Sequence, residues 1–473
     1  MSQNKPTIVI DLDGTLIKTD LLVESFLLLI KKNPFLMFAV VLWLFKGKAH
    51  MKREIAKRVD LPVELLPYNQ VVLDYIHEKK KQGHQIALAT ASYKRFANDV
   101  AHFLEVFDAV YATDGDLNLS GSKKRAALNA AYGEKNYIYA GNAKVDTKVW
   151  QDSAAAVVVG DKSLANKAEK ICGLEEHFQT ESGFAKRWLK ALRVHQWVKN
   201  SLIFVPVLAA HQFSDVNQLM LCMGAFISFS LCASSVYILN DLLDLFDDRR
   251  HKTKKNRPFA AGTLNLIHGL LVAPVLLVVA FITAVFISPN FFIVLICYYV
   301  LTFAYSFYLK RVVLIDVITL AGLYTVRIIA GAAAISVQLS FWLLAFSIFV
   351  FLSLALVKRY TELLALQGRT VKKALGRGYH ADDIELLSSL GGSSGYISVL
   401  VLALYINSSD VKVLYGDPMV MWPICLIMLF WISRVWIMAH RGQMHDDPIV
   451  FAIKDKVSIL CGALIGAFMI SAV

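Results

Sequence analysis

From Asn200 onward the chain is one apolar run after another, and this limits its fold more than any other feature. The runs fall near 200–212, 219–239, 265–287, 291–308, 313–334, 341–357, 396–407, 419–438 and 453–472. A helix needs roughly 20 apolar residues to cross a bilayer. Nine spans are therefore expected, the first and seventh borrowing flanking residues to reach across. A hydrophobic share of 56% over 473 residues is too high for a soluble protein of this size. Up to about residue 190, by contrast, charge and apolar residues mix as in a globular domain. The expected organisation is a soluble domain at 1–180, a linker at 181–192 and an all-α polytopic membrane domain at 193–473.

Charge orients this arrangement. "RRHKTKKNR", "LKR", "KRYTELLALQGRTVKKALGRGYHADD" and "HRGQMHDD" follow even-numbered spans, whereas the loops after odd ones hold a single Lys or Arg, Lys412. Basic loops stay in the cytoplasm. That places the protein in the cell inner (cytoplasmic) membrane, with its N-terminal domain in the cytoplasm. The net charge of +12 then belongs to loops beside the lipid bilayer and asks for no nucleic acid. "MSQNKPTIVIDLDGT" lacks the apolar core of a signal peptide, which agrees with a cytoplasmic N-terminus. Six cysteines without a CxxC pair suggest neither a disulfide framework nor a zinc site.

In the soluble half, "TIVIDLDGTL" delivers Asp11 and Asp13 to a strand end, two carboxylates pointing the same way. Such a pair is stable only with a cation or proton between its members, and a divalent metal answers that. The stretch resembles the first motif of the haloacid dehalogenase (HAD) superfamily of phosphotransferases. The resemblance covers roughly residues 6–165 and implies Asp11 as nucleophile and Asp13 as proton carrier. It makes Thr90, closing "HQIALATAS", the hydroxyl on the phosphoryl group. "GSKKRAAL" supplies the phosphate-holding cation, Lys124 in preference to Lys123, and "YIYAGNAKVDTKVW" the metal loop with Asp146 as its acid. One departure is Asn142, where the family often has an aspartate. An amide brings no charge to a metal, so a fold kept as a scaffold without catalysis is the competing reading. The implied fold is an α/β Rossmann-like sheet with a small helical cap at about 20–80. The cap contains "NPFLMFAVVLWLF", too short to cross a bilayer; it is either a helix resting on the membrane or a buried core helix.

In the membrane half, "SSVYILNDLLDLFDDRRHKTKKNRPFAAG" ends the second span in carboxylates and then cations. Asn240, Asp244 and Asp248 are spaced i, i+4, i+8, and Asp241 and Asp244 i, i+3, so a helix would present them as one stripe. Carboxylates this close are held most easily around Mg2+, which shares its shell with substrate phosphates. The following cations, among them Lys254 and Arg257, suit phosphate oxygens. The motif resembles the first metal motif of the UbiA superfamily of intramembrane prenyltransferases, over about residues 190–473. "LRVHQWVKNSLIFVP", "RHKTKKNRPFAAG", "YSFYLKRVVLIDV" and "LVKRYTEL" look like its polyprenyl-phosphate phosphoribosyltransferase branch. That branch moves 5-phosphoribose from phosphoribosyl diphosphate (PRPP) to a polyprenyl phosphate.

The superfamily's second aspartate-rich motif is not where the resemblance would put it. Its loop carries Lys358, Arg359, Glu362, Arg377 and Tyr379, whose three cations suit a substrate with phosphates at both ends. Asp316 and Arg327 lie inside the fifth run, where charges are costly and by default functional or paired. Lys199 and Asn200 at the first span and Lys310 at the fourth are further phosphate-ligand candidates, with snorkelling the alternative for the two lysines. Asp446, Asp447 and Asp455 enter the ninth span as metal or ribose contacts or as a solvated helix start. The implied function is Mg2+-dependent phosphoribosyl transfer for cell-envelope glycans, with the fused HAD domain dephosphorylating the product. The alternative is a UbiA-type prenyltransferase using polyprenyl diphosphate and an aromatic or polar acceptor, with the HAD domain regulatory or acting on another phosphate ester. A transporter is disfavoured, because the charges gather at the cytoplasmic ends of the spans. A homo-oligomer is compatible with this sequence but not required by it.

Overall fold

The computed structural model describes residues 5–115, 118–179, 183–365, 377–408, 411, 415–444 and 447–472. The chain divides into two compact units, Met1–Leu192 with Tyr237–Val272, and Arg193–Val236 with Ala273–Val473. Thus the acidic stretch packs with the N-terminal residues.

The first unit holds a six-stranded parallel sheet of β1 (Thr7–Ile10), β2 (Ile86–Tyr93), β3 (Ala109–Thr113), β4 (Tyr137–Gly141), β5 (Ala155–Gly160) and β6 (Leu174–Gln179), in the order β3-β2-β1-β4-β5-β6. The central strand β1 reads TIVI and is buried throughout, as a strand covered on both faces must be. Between β1 and β2 lie the cap helices α1 (Leu21–Lys32), α2 (Leu36–Phe45) and α3 (Lys48–Ala56), then α4 (Gln70–Lys81). Asp20 caps α1 by accepting from the backbone N–H groups of Leu22 and Val23. Helices α5 (Lys94–Leu104), α6 (Ser122–Tyr132), α7 (Thr147–Trp150) and α8 (Lys162–Cys172) complete the alternation, which places loops at the carboxyl ends of the strands. Within the expected linker, residues 181 and 182 lie outside the described residues. The rest includes α9 (Phe184–Ala191), held by Arg187 and Lys190 on the carbonyls of Thr263 and Asn256.

Among the described residues, seven helices are long and apolar enough to span a membrane: Val216–Leu243, Leu266–Ile287, Pro289–Phe307, Ile315–Ile335, Phe341–Leu364, Ala381–Ile406 and Pro418–His440. Nine were expected. The first run folds instead as the tight 3-10 segment Val194–Phe204 and the short helix Val205–Ala209, and the ninth is the sixteen-residue helix Lys456–Ser471. Of an 18-residue apolar stretch in each, 67% is buried in Ile315–Ile335 but only 17% in Leu266–Ile287, so the former is central and can shelter polar groups while the latter is peripheral. Gly331 brings Val194–Phe204 against this central helix. A Cβ there would lie 2.0 Å from the Ile203 carbonyl oxygen, so only glycine permits the approach.

Candidate functional sites

In the N-terminal domain Asp11 directly follows β1, and Gly14, at φ +80°, turns the chain back. A side chain at Gly14 would strike the Asn142 amide, so glycine is needed there for space as well as for its backbone angle. The Lys124 ammonium, in the first turn of α6, is 2.6 Å from Asp11 Oδ1 and 2.8 Å from the Tyr139 hydroxyl. Lys123 beside it is exposed. Tyr139 donates onward to Asp146 Oδ1 at 3.0 Å, and Asp146 Oδ2 accepts from the N–H groups of Asn142 and Ala143. Asp13 accepts from the Leu21 N–H, from Thr90 Oγ1 at 3.2 Å and from Ser92 Oγ at 2.7 Å. Burial pushes Asp11 up to about 7 against the pull of Lys124, with Asp146 and Asp13 adding to the rise. Burial likewise raises Asp13 to about 6, helped by Asp20.

Asp11, Asp13, Ser92, Lys124, Asn142 and Asp146 line one pocket of about 180 Å3, which Thr90 adjoins through its hydrogen bond to Asp13. Thus Asp11, Asp13, Thr90, Lys124 and Asp146, scattered over 136 positions of sequence, meet at one end of the sheet. The sequence reading missed three participants. Ser92 was accessible to it, two residues beyond Thr90 on the same strand face. Tyr139 gave no sign beyond its strand. Lys52 comes from α3 of the cap, donates to the Ala91 carbonyl and to Asn118 Oδ1, and reaches the pocket only through the fold. Burial lowers Lys52 below the usual lysine range, against the pull of Asp13 and Asp20.

The acidic stretch differs from the single stripe expected. Helix Val216–Leu243 ends before Asp244, and a separate short helix, Leu245–Arg250, carries Asp248. Asp241 and Asp248, both buried, are joined by Arg257, whose Nη1 is 3.1 Å from one and 2.6 Å from the other. Asp244 instead meets Lys31 of α1, at 3.1 Å. The helix break turns the side chains apart, which i, i+4 counting could not foresee. Asn240 lies in the last turn of the span, and Lys254 in the exposed turn Lys254–Asn256.

Among the described residues of the second unit, polar networks gather around Asp316, Asp447 and Arg327. Asp316, fully buried, accepts from the guanidinium of Arg359, from Arg377 Nη1 at 3.1 Å and from the Tyr305 hydroxyl at 2.7 Å, while Tyr379 accepts from the Leu314 N–H. Asp447 holds Lys199 at 2.8 Å and Lys358 at 3.0 Å. Arg327 donates to Asn200 Oδ1 at 2.9 Å and lies over the rings of Tyr298, Phe229 and Tyr324. Asp316 and Arg327, eleven positions apart on one helix, therefore serve different networks. Lys199 is buried in an ion pair and does not snorkel; Lys310 lies in the turn Leu309–Arg311. Asp446 lies outside the described residues, and Asp455 pairs with Arg434 and caps the last helix.

The model of the UbiA prenyltransferase family matches residues 201–451. The chain belongs to this family. A second model, haloacid dehalogenase-like hydrolase, matches residues 8–150, so a HAD-like domain precedes the UbiA domain. The chain is 36% identical to the uncharacterized protein y4nM of Sinorhizobium fredii, over 99% of this chain and 91% of that one. It is 37% identical to the decaprenyl-phosphate phosphoribosyltransferase of Mycobacterium tuberculosis over 57% of this chain and 88% of that one. The nodulation protein NoeC of Azorhizobium caulinodans is 35% identical over 58% of this chain and 89% of its own. A transferase and a hydrolase domain in one chain support an enzyme, and its apolar helices make it a multi-pass membrane protein.

Both domains have the chemistry to hold Mg2+. Asp11, Asp13, Asn142 and Asp146 offer hard oxygen donors in one pocket, where burial raises Asp11 and Asp13 for want of enough positive charge. Asp241 and Asp248 converge on the single cationic group of Arg257, a place a metal would suit equally. Among the described residues no three acidic, His or Cys side chains are already gathered around one point. Water and substrate phosphates would have to complete either shell, as is usual for Mg2+.

Proposed function

We propose that the UbiA domain transfers 5-phosphoribose from PRPP to a polyprenyl phosphate at the inner membrane, and that the HAD-like domain, on the cytoplasmic side, removes the 5′-phosphate from the product. The observation that carries this is the 37% identity to a decaprenyl-phosphate phosphoribosyltransferase across 88% of its length. The cation-rich networks at Asp316 and Asp447 support it, since Arg359, Arg377, Lys199 and Lys358 offer more positive charge than a prenyl diphosphate alone would need.

Mg2+ held by Asp241 and Asp248, with Asn240 and Asp244 at the adjoining helix end completing its surroundings once Asp244 releases Lys31, and in the other domain by Asp11, Asp13 and Asp146, would neutralise phosphate charge. In the transfer, an oxygen of the lipid phosphate bonds to the anomeric carbon while the bond to diphosphate breaks. Arg257 and Lys254 receive phosphate oxygens, and Lys199, Asn200, Lys310, Asp316, Arg327, Lys358, Arg359, Arg377 and Tyr379 bind and orient the two substrates. In the hydrolysis, Asp11 bonds to phosphorus as the ribose oxygen leaves with a proton from Asp13. Water then releases phosphate, with Asp13 taking its proton. Lys124 draws Asp11 toward its ionised form against the effect of burial, and Thr90 donates to the phosphoryl group.

The test is transfer of radiolabelled phosphoribose from PRPP to polyprenyl phosphate by purified protein with Mg2+. A parallel tube offers polyprenyl diphosphate and an aromatic acid. Label in the lipid phase that disappears in Asp244→Asn is the expected result. A prenylated acceptor with no labelled lipid would overturn the donor and acceptor in favour of ordinary prenyl transfer.

A further inference from the structure

All ten residues of α2 are apolar, and the helix has two apolar faces. Leu36, Val40 and Trp43 pack on Leu29, Met51 and Ile55 inside the cap. The opposite face, Phe38, Val41, Leu42 and Phe45, stands open, with Phe38 65% and Phe45 86% exposed. A helix on the surface of a soluble domain carries polar residues there, and a contiguous exposed apolar face marks an interaction site. The buried-core reading of this stretch is thereby excluded.

The position of the helix says what covers it. Lys31, at the end of α1, is 3.1 Å from Asp244 and 2.8 Å from Asp247. Both carboxylates come within four residues of the end of the membrane helix Val216–Leu243, and α2 starts five residues after Lys31. The open face therefore begins beside the place where the chain leaves the membrane. Exposed Lys46 and Lys48 follow its last turn, cations of the kind that anionic headgroups attract. At ten residues the helix is too short to cross a bilayer and suits lying in its surface.

We propose that α2 is an interfacial anchor whose open face sinks into the headgroup and acyl boundary of a bilayer containing anionic lipid. On the phosphatase reading given above, this also defines the substrate class of the HAD-like domain. Helix α2 shares its core with α3, which carries Lys52 into the phosphate pocket, so an anchored cap holds that pocket at the membrane surface. Its substrate is then a phosphate monoester borne by a lipid rather than one free in solution.

Full-length protein with the photoreactive residue benzoylphenylalanine in place of Phe38, Leu42 or the inward-facing Trp43 is reconstituted in phosphatidylglycerol–phosphatidylethanolamine liposomes and irradiated. Phospholipid adducts at positions 38 and 42, about ten-fold above position 43, are expected for a helix with one lipid-facing side. Absence of adducts at 38 and 42, or equal yield at 43, overturns the anchor. A second measurement uses a protein carrying both Phe38→Glu and Leu42→Glu. Hydrolysis of a polyprenyl-linked ribose 5-phosphate in the liposomes should fall about ten-fold with p-nitrophenyl phosphate hydrolysis unchanged. Equal loss on both substrates, or loss on neither, overturns the lipid-borne substrate class. If the unsubstituted protein hydrolyses neither ester, the phosphatase reading and the substrate class fall together, while the adducts still decide the anchor.

Discussion

Arg249 donates two hydrogen bonds to Glu24, at 2.8 and 2.7 Å, and neither side chain is more than 6% exposed. Glu24 lies on α1 of the HAD-like domain and also accepts from Thr19, while Arg249 follows Asp248 of the acidic stretch. One buried ion pair thus ties the fold of the soluble domain to the segment expected to handle diphosphate. Breaking it leaves a charge without a partner in a dry site.

Glu24→Ala should therefore destabilise the first unit by about 3–5 kcal/mol, the usual cost of stranding one buried charge. Thermal unfolding of the purified protein measures this. The double variant Glu24→Leu with Arg249→Met should recover most of the loss, because it removes both charges together. A double variant as unstable as the single one would mean that packing, not charge pairing, holds the contact.

Lys52 sets a pH limit. Its pKa lies below the usual lysine range, so as pH rises it loses its proton, and the pocket a cation, earlier than an ordinary lysine would. KM for a phosphate monoester should climb on the alkaline side, and Lys52→Met should raise it about ten-fold at neutral pH. Lys52→Arg keeps the charge and should flatten the alkaline limb. An unchanged pH profile in that variant would remove Lys52 from substrate binding.

Asn142 stands over Gly14 and accepts from Thr15 Oγ1 at 3.3 Å, at the mouth of the Asp11 pocket. Asn142→Asp adds a charged oxygen donor with no change in size. The Mg2+ concentration for half-maximal phosphate release should drop about ten-fold, since ligand charge tunes divalent-metal affinity. Titration of Mg2+ into chelator-treated protein gives the answer, and an unchanged midpoint would place Asn142 outside the metal shell.

Asp316 holds Arg359 and Arg377 inside the helical unit. Asp316→Asn should cost about 3–5 kcal/mol, because Arg359 is as deeply buried as its partner. It should abolish lipid labelling, while phosphate release from a soluble ester should persist. Loss of the latter as well would show that the two domains do not fold independently of this network.

Most of the architecture was legible in the sequence. Apolar run length marks a membrane helix because lipid demands it, and "DLDGT" after a β-branched run fixes a strand end because paired carboxylates need a turn and a counter-charge. Ser92 obeyed the two-residue period of its strand and could have been read. The count of spans was approximate at residues 200–212, where a tight 3-10 segment packs against Gly331, a close approach that no hydropathy pattern records.

The sequence by itself determined which residues carry charge into apolar surroundings and which elements they end. Only tertiary structure decided their partners: Arg257 across Asp241 and Asp248, Lys31 on Asp244, and Glu24 on Arg249, while Lys124 on Asp11 agreed with the motif's spacing. The reason is physical. Helix and strand periods are local and can be read along the chain, whereas an ion pair between different elements, whether 9 or 225 positions apart, depends on where folding brings two backbones together.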